Sequence, residues 1–399
     1  MKEKFKRSGL EKQIPNLPQE VKYCSKCVVS NQRPRIMFDD DGVCCGCKNA
    51  EYKQNGIDWE KREKELQELC DKHRRSDGYW DVVIPSSGGK DSAFVAHQLK
   101  HKYGMNPLTV TWSPFLYTDI GYRNFQNLRD AGFTNLKCSP NGKLHRKLAR
   151  LCFEELGDAF HAFVMGQLHY ALHIANKFDI DLVFYGENGE VEYAGDPSGA
   201  DRPYRPVSEF THNLLKGCTL EELIEYGLKN KDYFTKDDYQ DCDLIFYNPP
   251  PKEDVEKKDI KIHYYSYYHK WIPQENYYYA VENTNFEANP ERSEGTYSKY
   301  ASLDDRLDGM HYYMRYIKFG LGRAIEDVSH EIRAGHLTRE EGIALASRYD
   351  GEFPKKYFKD FLEYLDITEE HFWEVVDSYR LPHLWEQVNG VWQLKSRIV

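Results

Sequence analysis

Four short apolar runs punctuate the first half of the chain, at Val82–Pro85, Leu108–Trp112, Asn135–Cys138 and Leu182–Tyr185. Runs of this length between polar or turn-forming residues read as strands. Between them the apolar spacing lengthens to that of helices, near residues 91–103, 121–131 and 145–177. Strand and helix therefore alternate. That alternation predicts an α/β fold, a parallel sheet with helices on both faces. Ligands of such sheets gather outside the carboxyl ends of the strands. The loops at 86–92, 111–113 and 186–188 are expected to converge there on one crevice.

Outside this block the pattern changes. Residues 50–76 are charged and helix-like, and bridge the N-terminal segment to the sheet. His161, His169 and His173 lie at helical spacing without the Glu of a His-Glu-x-x-His metal motif, so they read as packed or capping residues. Residues 195–207 are polar and proline-rich, and too irregular for an element. They form either a lid, with Arg202 and Arg205 reaching an anion, or a plain surface loop. Pro249-Pro250-Pro251 makes a stiff break, and the tyrosines from Tyr264 to Tyr279 follow it. Those rings fill the core or stack on sugars or bases. From about Leu303 to Leu381 the pattern is helical, with a break at Gly335 and a new start capped by Thr338 and Glu341. The expected division is an N-terminal segment at 1–60, a nucleotide unit at 61–215, a tyrosine-rich substrate region at 216–300 and a helical unit at 301–399.

Composition narrows the function classes. The chain has 399 residues, 40% of them hydrophobic and 14% aromatic, enough for a large core. A net charge of -10 argues against broad nucleic-acid binding. No apolar run is long enough to span a membrane. The basic stretch Met1–Arg7 lacks the apolar segment of a signal peptide. Ten cysteines without an export signal are expected to be reduced thiols in the cytoplasm.

Four of those cysteines form two C-x2-C pairs, Cys24/Cys27 and Cys44/Cys47. Two thiolates from each pair can close a tetrahedron around zinc, with Asp41-Gly42 turning the chain between them. A redox dithiol needs only one pair. A catalytic thiol is the third reading. Cys45 is surplus, because choosing it would break the second pair. Cys70, Cys138, Cys152, Cys218 and Cys242 are scattered.

The richest stretch is Ser86-Ser87-Gly88-Gly89-Lys90-Asp91-Ser92, between the first strand and the helix after it. The glycines let backbone N–H groups approach an anion, and the helix points its positive end at the same place. Lys90 adds a charge, and Ser87 and Ser92 add hydroxyls. The Gly-x-x-x-x-Gly-Lys spacing of a Walker loop is absent. Ser87–Ser92 instead resembles the PP-loop of the ATP pyrophosphatases. This resemblance implies a PP-loop, HUP-like sheet and cleavage of ATP between its α and β phosphates. In that family the loop after the second strand contacts adenine or ribose, a role that carries to Thr111 and Trp112. Gly186-Glu187-Asn188 takes the place of a later loop near nucleotide and acceptor. Glu187 there contacts metal, orients the acceptor or is a solvated loop carboxylate. Asp91, beside bound phosphates, is placed for Mg²⁺.

The cysteine pairs, the loop and Gly186–Glu190 together resemble the N-acetyl sugar amidotransferases of bacterial surface-polysaccharide and nonulosonic-acid synthesis. Lys270–Tyr277, Ser298–Asp305 and Gly320–Ala324 extend the likeness. It implies conversion of an acetamido group on an acidic nucleotide-linked or free sugar to an acetamidino group. Lys90, Asp91 and Glu187 would be the catalytic residues, and ATP, Mg²⁺ and structural Zn²⁺ the cofactors. No glutaminase motif is present. Ammonia is then expected from a separate glutaminase through a cyclase-like subunit. Asp304 and Asp305 are candidates to position sugar or incoming nitrogen. The rival readings are a tRNA thiolase with catalytic cysteines, such as Cys138 and Cys152, and a nucleotide-binding scaffold without turnover.

Overall fold

The computed structural model describes residues 5–206, 217–230 and 233–398. Val207 of the polar segment and the expected boundary at 215/216 lie outside them. The predicted strands form as β1 (Val82–Pro85), β2 (Pro107–Trp112), β3 (Asn135–Cys138) and β4 (Leu182–Tyr185). Two further strands join them, β5 (Tyr204–Arg205) and β6 (Lys261–Tyr264), in the order β3-β2-β1-β4-β6-β5. All pairings are parallel except that of β5, which runs antiparallel on the edge against β6.

The pleat divides the apolar residues between two cores. Val83, Leu108, Val110 and Val183 face one side, under the helices Gly142–Leu156 and Phe160–Phe178. Val82, Ile84, Leu182 and Phe184 face the other, under the helices Trp59–His73, Lys90–His101 and Pro273–Thr284. This is the period-two division that a sheet covered on both faces requires. The first core does not stop at the sheet. It runs on through Met310, Ile317, Val328, Phe361 and Phe372 of the C-terminal helices. Phe153 stacks on Phe372 with ring centroids 5.5 Å apart, and the buried Lys318 Nζ donates to the carbonyl of Leu156 at 2.7 Å.

Several sequence expectations need correction. The helix expected over 145–177 is two helices, separated at Gly157, whose φ of +65° ends the first. The charged stretch 50–76 is likewise two, Cys45–Asn55 and Trp59–His73, broken at Gly56. The polar segment expected to lack elements holds a 3-10 turn at Pro197–Gly199 and strand β5. The tyrosine-rich segment contributes β6 and then mostly core, with Tyr265 fully buried and Tyr278 exposed. The C-terminal region is helical from Asp308 to Ser378. It then ends in a hairpin of β7 (Trp385–Val388) and β8 (Val391–Leu394). The cap by Thr338 and Glu341 and the break at Gly335 are as expected. His169 and His173 bond the carbonyls of Tyr247 and Asn248, as packed histidines do.

Candidate functional site

β1 ends at Pro85, and the chain turns sharply before the helix Lys90–His101. The Ser86 and Ser92 hydroxyls meet at 2.8 Å across the mouth of the turn, and Ser92 also donates to the Gly89 carbonyl at 3.1 Å. Gly89 is the N-cap residue, and no side chain caps the helix start, which leaves first-turn amides directed at the crevice. Gly88 has φ +91°, and a Cβ there would lie 2.6 Å from the backbone of Asn124. Gly88→Ala is therefore expected to displace the loop and lower stability by about 1–3 kcal/mol, read as a lower midpoint of thermal unfolding.

Lys90 pairs with Asp91, whose second oxygen accepts from the Asn276 amide at 3.0 Å. Asn276 comes from the helix Pro273–Thr284, packed along the loop's own helix, and is 1% exposed. Tyr300 places its ring 5.5 Å from Lys90 Nζ and stacks on Tyr277. Asp304 lies on the other side of the loop. Burial pushes its carboxyl pKa up, and the neighbouring Ser87 hydroxyl opposes the rise. Asp305 is occupied structurally, accepting from the amides of Phe115 at 2.6 Å and Leu307 at 2.9 Å.

Opposite the loop, β4 ends at Tyr185 and Gly186 turns the chain. A Cβ on Gly186 would meet the Trp271 ring at 2.6 Å. Ser266 holds the turn, its amide donating to the Gly186 carbonyl at 2.8 Å. Glu187 then faces Asp91 and Lys90. Enclosure in the crevice, and secondarily the Asp91 charge, push its carboxyl up to about 8, with Lys90 opposing. In the folded chain Glu187 keeps its proton to near pH 8, whereas a carboxyl in the unfolded chain loses it near 4.5. Ionisation between those values works against the folded state, so this site's contribution falls as pH rises through the window. Glu187→Gln is expected to be increasingly more stable than the parent from pH 5 to pH 8, measured by thermal unfolding across that range.

Ser86, Ser87, Gly89, Asp91 and Ser92 line one cavity of about 270 Å³ with Thr111, Trp112, Gly186 and Glu187. Gly88 and Lys90 complete its loop. Thr111 and Trp112 reach this cavity from the end of β2. The Thr111 hydroxyl is bonded to the Ser86 carbonyl, and the Trp112 ring is 5% exposed and packed on Gly166. Asn276 and Asp304 belong to the site and reach it only through tertiary contact. The sequence signal for both was membership of the two stretches that extended the likeness.

The cysteine pairs form a second centre. Cys24 and Cys27 sit on a turn closed by a Tyr23–Ser30 bridge, and Cys44 and Cys47 bracket the start of the helix Cys45–Asn55. The four sulfurs are buried and lie within 4.8 Å of one another. Cys24–Cys47 and Cys27–Cys44 are 3.8 and 3.7 Å apart. A tetrahedron with Zn–S bonds of about 2.3 Å has edges of about 3.8 Å, so the donor set fits zinc. The amides of Lys26, Cys27 and Cys44 point at the Cys24 sulfur at 3.3–3.4 Å, which favours thiolate. Cys45 stands outside the set, against the Gly195 carbonyl. Arg333 touches the Cys27 and Cys44 sulfurs at 3.6 and 3.7 Å and donates to the Glu192 carbonyl at 3.1 Å. Arg35 grips Glu190 with two bonds. The cysteine centre is thereby tied to the segment after Glu187.

Comparison with known proteins gives a family match in the C-terminal part. Residues 294–398 match the family described as LPS biosynthesis protein WbpG-like, C-terminal domain. That match likens those residues to part of a protein of LPS biosynthesis. Over 89 residues, 22% of its length, the chain is 32% identical to an uncharacterized protein of Methanocaldococcus jannaschii. The match spans 31% of that relative. Among the described residues no helix is long and apolar enough to cross a membrane.

Proposed function

We propose that this chain is an ATP-dependent, AMP-forming amidotransferase acting on the acetamido group of a sugar. The observation that carries the reading is one cavity. It joins a glycine loop at a helix start, whose Lys90 pairs with Asp91, to two carboxylates, Asp91 in the first turn of that helix and Glu187 in the loop after β4. Lys90 and the uncapped amides at 89–92 hold the β and γ phosphates and stabilise charge on departing pyrophosphate. Asp91, steadied by Asn276, and Glu187, once deprotonated, are the residues that would hold Mg²⁺. The ion, when bound, would neutralise phosphate oxygens that otherwise repel one another. The acetamido oxygen attacks the α phosphate, and pyrophosphate leaves. Ammonia then adds to the activated carbon, AMP departs, and an amidine remains.

The polysaccharide-biosynthesis match supports a sugar as acceptor. The rest of this reading includes a separate glutaminase and cyclase-like subunit as the ammonia source, the four-part division at 60, 215 and 300, and a cytoplasmic location. A sulfur relay through Cys138 and Cys152 is disfavoured. Burial pushes the Cys138 thiol up to about 11, and Cys152 is sealed in the core. The test uses purified protein with ATP, Mg²⁺, ammonium and a panel of N-acetylated nucleotide sugars. AMP, pyrophosphate and a product lighter by about one mass unit are expected, since nitrogen with its hydrogen replaces oxygen. Release of ADP, or a heavier, thiolated product, would overturn the reading.

A further inference from the structure

A larger cavity, of about 890 Å³, opens beyond the carboxyl ends of β2 and β3 and shares no lining residue with the loop cavity. One wall is the first three turns of the helix Gly142–Leu156, which bring Lys143, Arg146, Lys147 and Arg150 to it. Three of these cations have partners. Lys143 and Lys147 share Asp238, at 2.7 and 2.8 Å, and Arg150 bonds Glu154. Among the described residues no carboxylate lies within ion-pair distance of Arg146. Its guanidinium sits 5.1 Å over the Tyr364 ring, at the cavity wall. Asn141 caps the helix through the amides of Lys143 and Leu144, so the helix end alone is no site.

The independent sign of a ligand is His145. It lines the same cavity, is 3% exposed, and stacks on Phe115 at 4.7 Å. Its Nδ1 lies 2.7 Å from the Tyr247 hydroxyl. Burial pulls its pKa down to about 3, so the ring is neutral. Assigning the Tyr247 hydroxyl as donor to Nδ1 puts the ring proton on Nε2, and among the described residues that buried nitrogen has no hydrogen-bond partner. An unsatisfied buried donor is costly unless an acceptor arrives. The cavity thus combines a free guanidinium, a neutral N–H donor, paired cations and aromatic walls from Phe115 and Tyr364. Its volume falls in the range of about 300–1,000 Å³ typical of small-molecule sites.

We propose that this cavity is a second anion site, which takes a diphosphate-bearing ligand of nucleotide size with Arg146 and His145 as its recognition residues. Oxyanion oxygens accept from both, and an attached ring can lie against Phe115 or Tyr364. The site goes beyond the adenylation reading and does not depend on it.

The test is calorimetric titration of the full chain carrying Lys90→Ala, which weakens the loop, with UDP and with inorganic pyrophosphate as separate probes. Saturable binding of UDP is expected. Adding Arg146→Ala, an exposed position that leaves the fold intact, should weaken it about tenfold or more. His145→Phe should weaken it while thermal unfolding confirms a folded chain. UDP much tighter than pyrophosphate identifies a nucleoside-linked ligand. Equal affinities identify free diphosphate. Either supports the site. No binding of either probe, or binding indifferent to Arg146→Ala, overturns it.

Discussion

Asp91→Asn is expected to slow pyrophosphate release by about a hundred- to a thousand-fold, the loss typical of removing one preorganised electrostatic group. The change is nearly isosteric. Its amide oxygen can still accept from Asn276, but its NH₂ group is turned toward the Lys90 ammonium, where the paired oxygen was. Lys90 loses its counter-charge and its fixed position, and one of two carboxylates facing bound phosphate is neutralised. Stability should change little, because the Asp91 side chain is 32% exposed and such pairs contribute about 1 kcal/mol or less. Rapid-quench measurement of AMP and pyrophosphate, beside thermal unfolding, separates the two effects. An unchanged rate would remove Asp91 from the reaction.

The second large effect belongs to the cysteine centre. Cys27→Ser or Cys44→Ser is expected to abolish zinc retention and to destabilise the N-terminal segment by about 5 kcal/mol, within the range seen on loss of a metal. The segment has little core of its own. Val29, Val43 and Ala194 are the other buried apolar residues of its cluster. Without the ion, four buried sulfurs lose the charge that holds them together, and Arg333 loses the thiolates it touches. Metal analysis should find a single zinc per parent chain and none in either variant. Limited proteolysis should open residues near 24–47 first. Cys45→Ser, outside the sulfur set, should keep the metal. A Cys27→Ser protein with unchanged zinc content and melting would refute a structural centre.

The parts legible in the sequence were those written in local pattern. β1 to β4 announce themselves as apolar runs with turn residues at their ends, and the phosphate-type loop follows directly on β1. The cysteine set was legible because its spacing is a covalent constraint. β6 was obscured because Lys261–Tyr264 runs into the tyrosine-rich stretch, which reads equally as core or as a stacking surface. β5 is two residues long and exists only by pairing with β6. The terminal hairpin did carry a signal. Asn389 and Gly390 have φ of +51° and +78°, the left-handed pair an Asn-Gly turn supplies. Asn276 and Asp304 could not be placed from local pattern. The first meets Asp91 across 185 positions of chain, and the second lies beside Ser87 because its segment crosses the start of the helix Asp119–Asp130, where the Thr118 amide donates to the Asp304 carbonyl at 3.2 Å.

The apolar interior that passes from beneath the sheet into the C-terminal helices constrains how this chain can diverge. Phe153 and Phe372 belong to halves that look separable on paper, yet each ring is half of one stacked contact. A bulkier side chain in either half has to be answered by a smaller one in the other. Genes that exchanged only the stretch beyond residue 300 would therefore bring together surfaces shaped for different partners. Inheritance as a single block is the arrangement this packing favours.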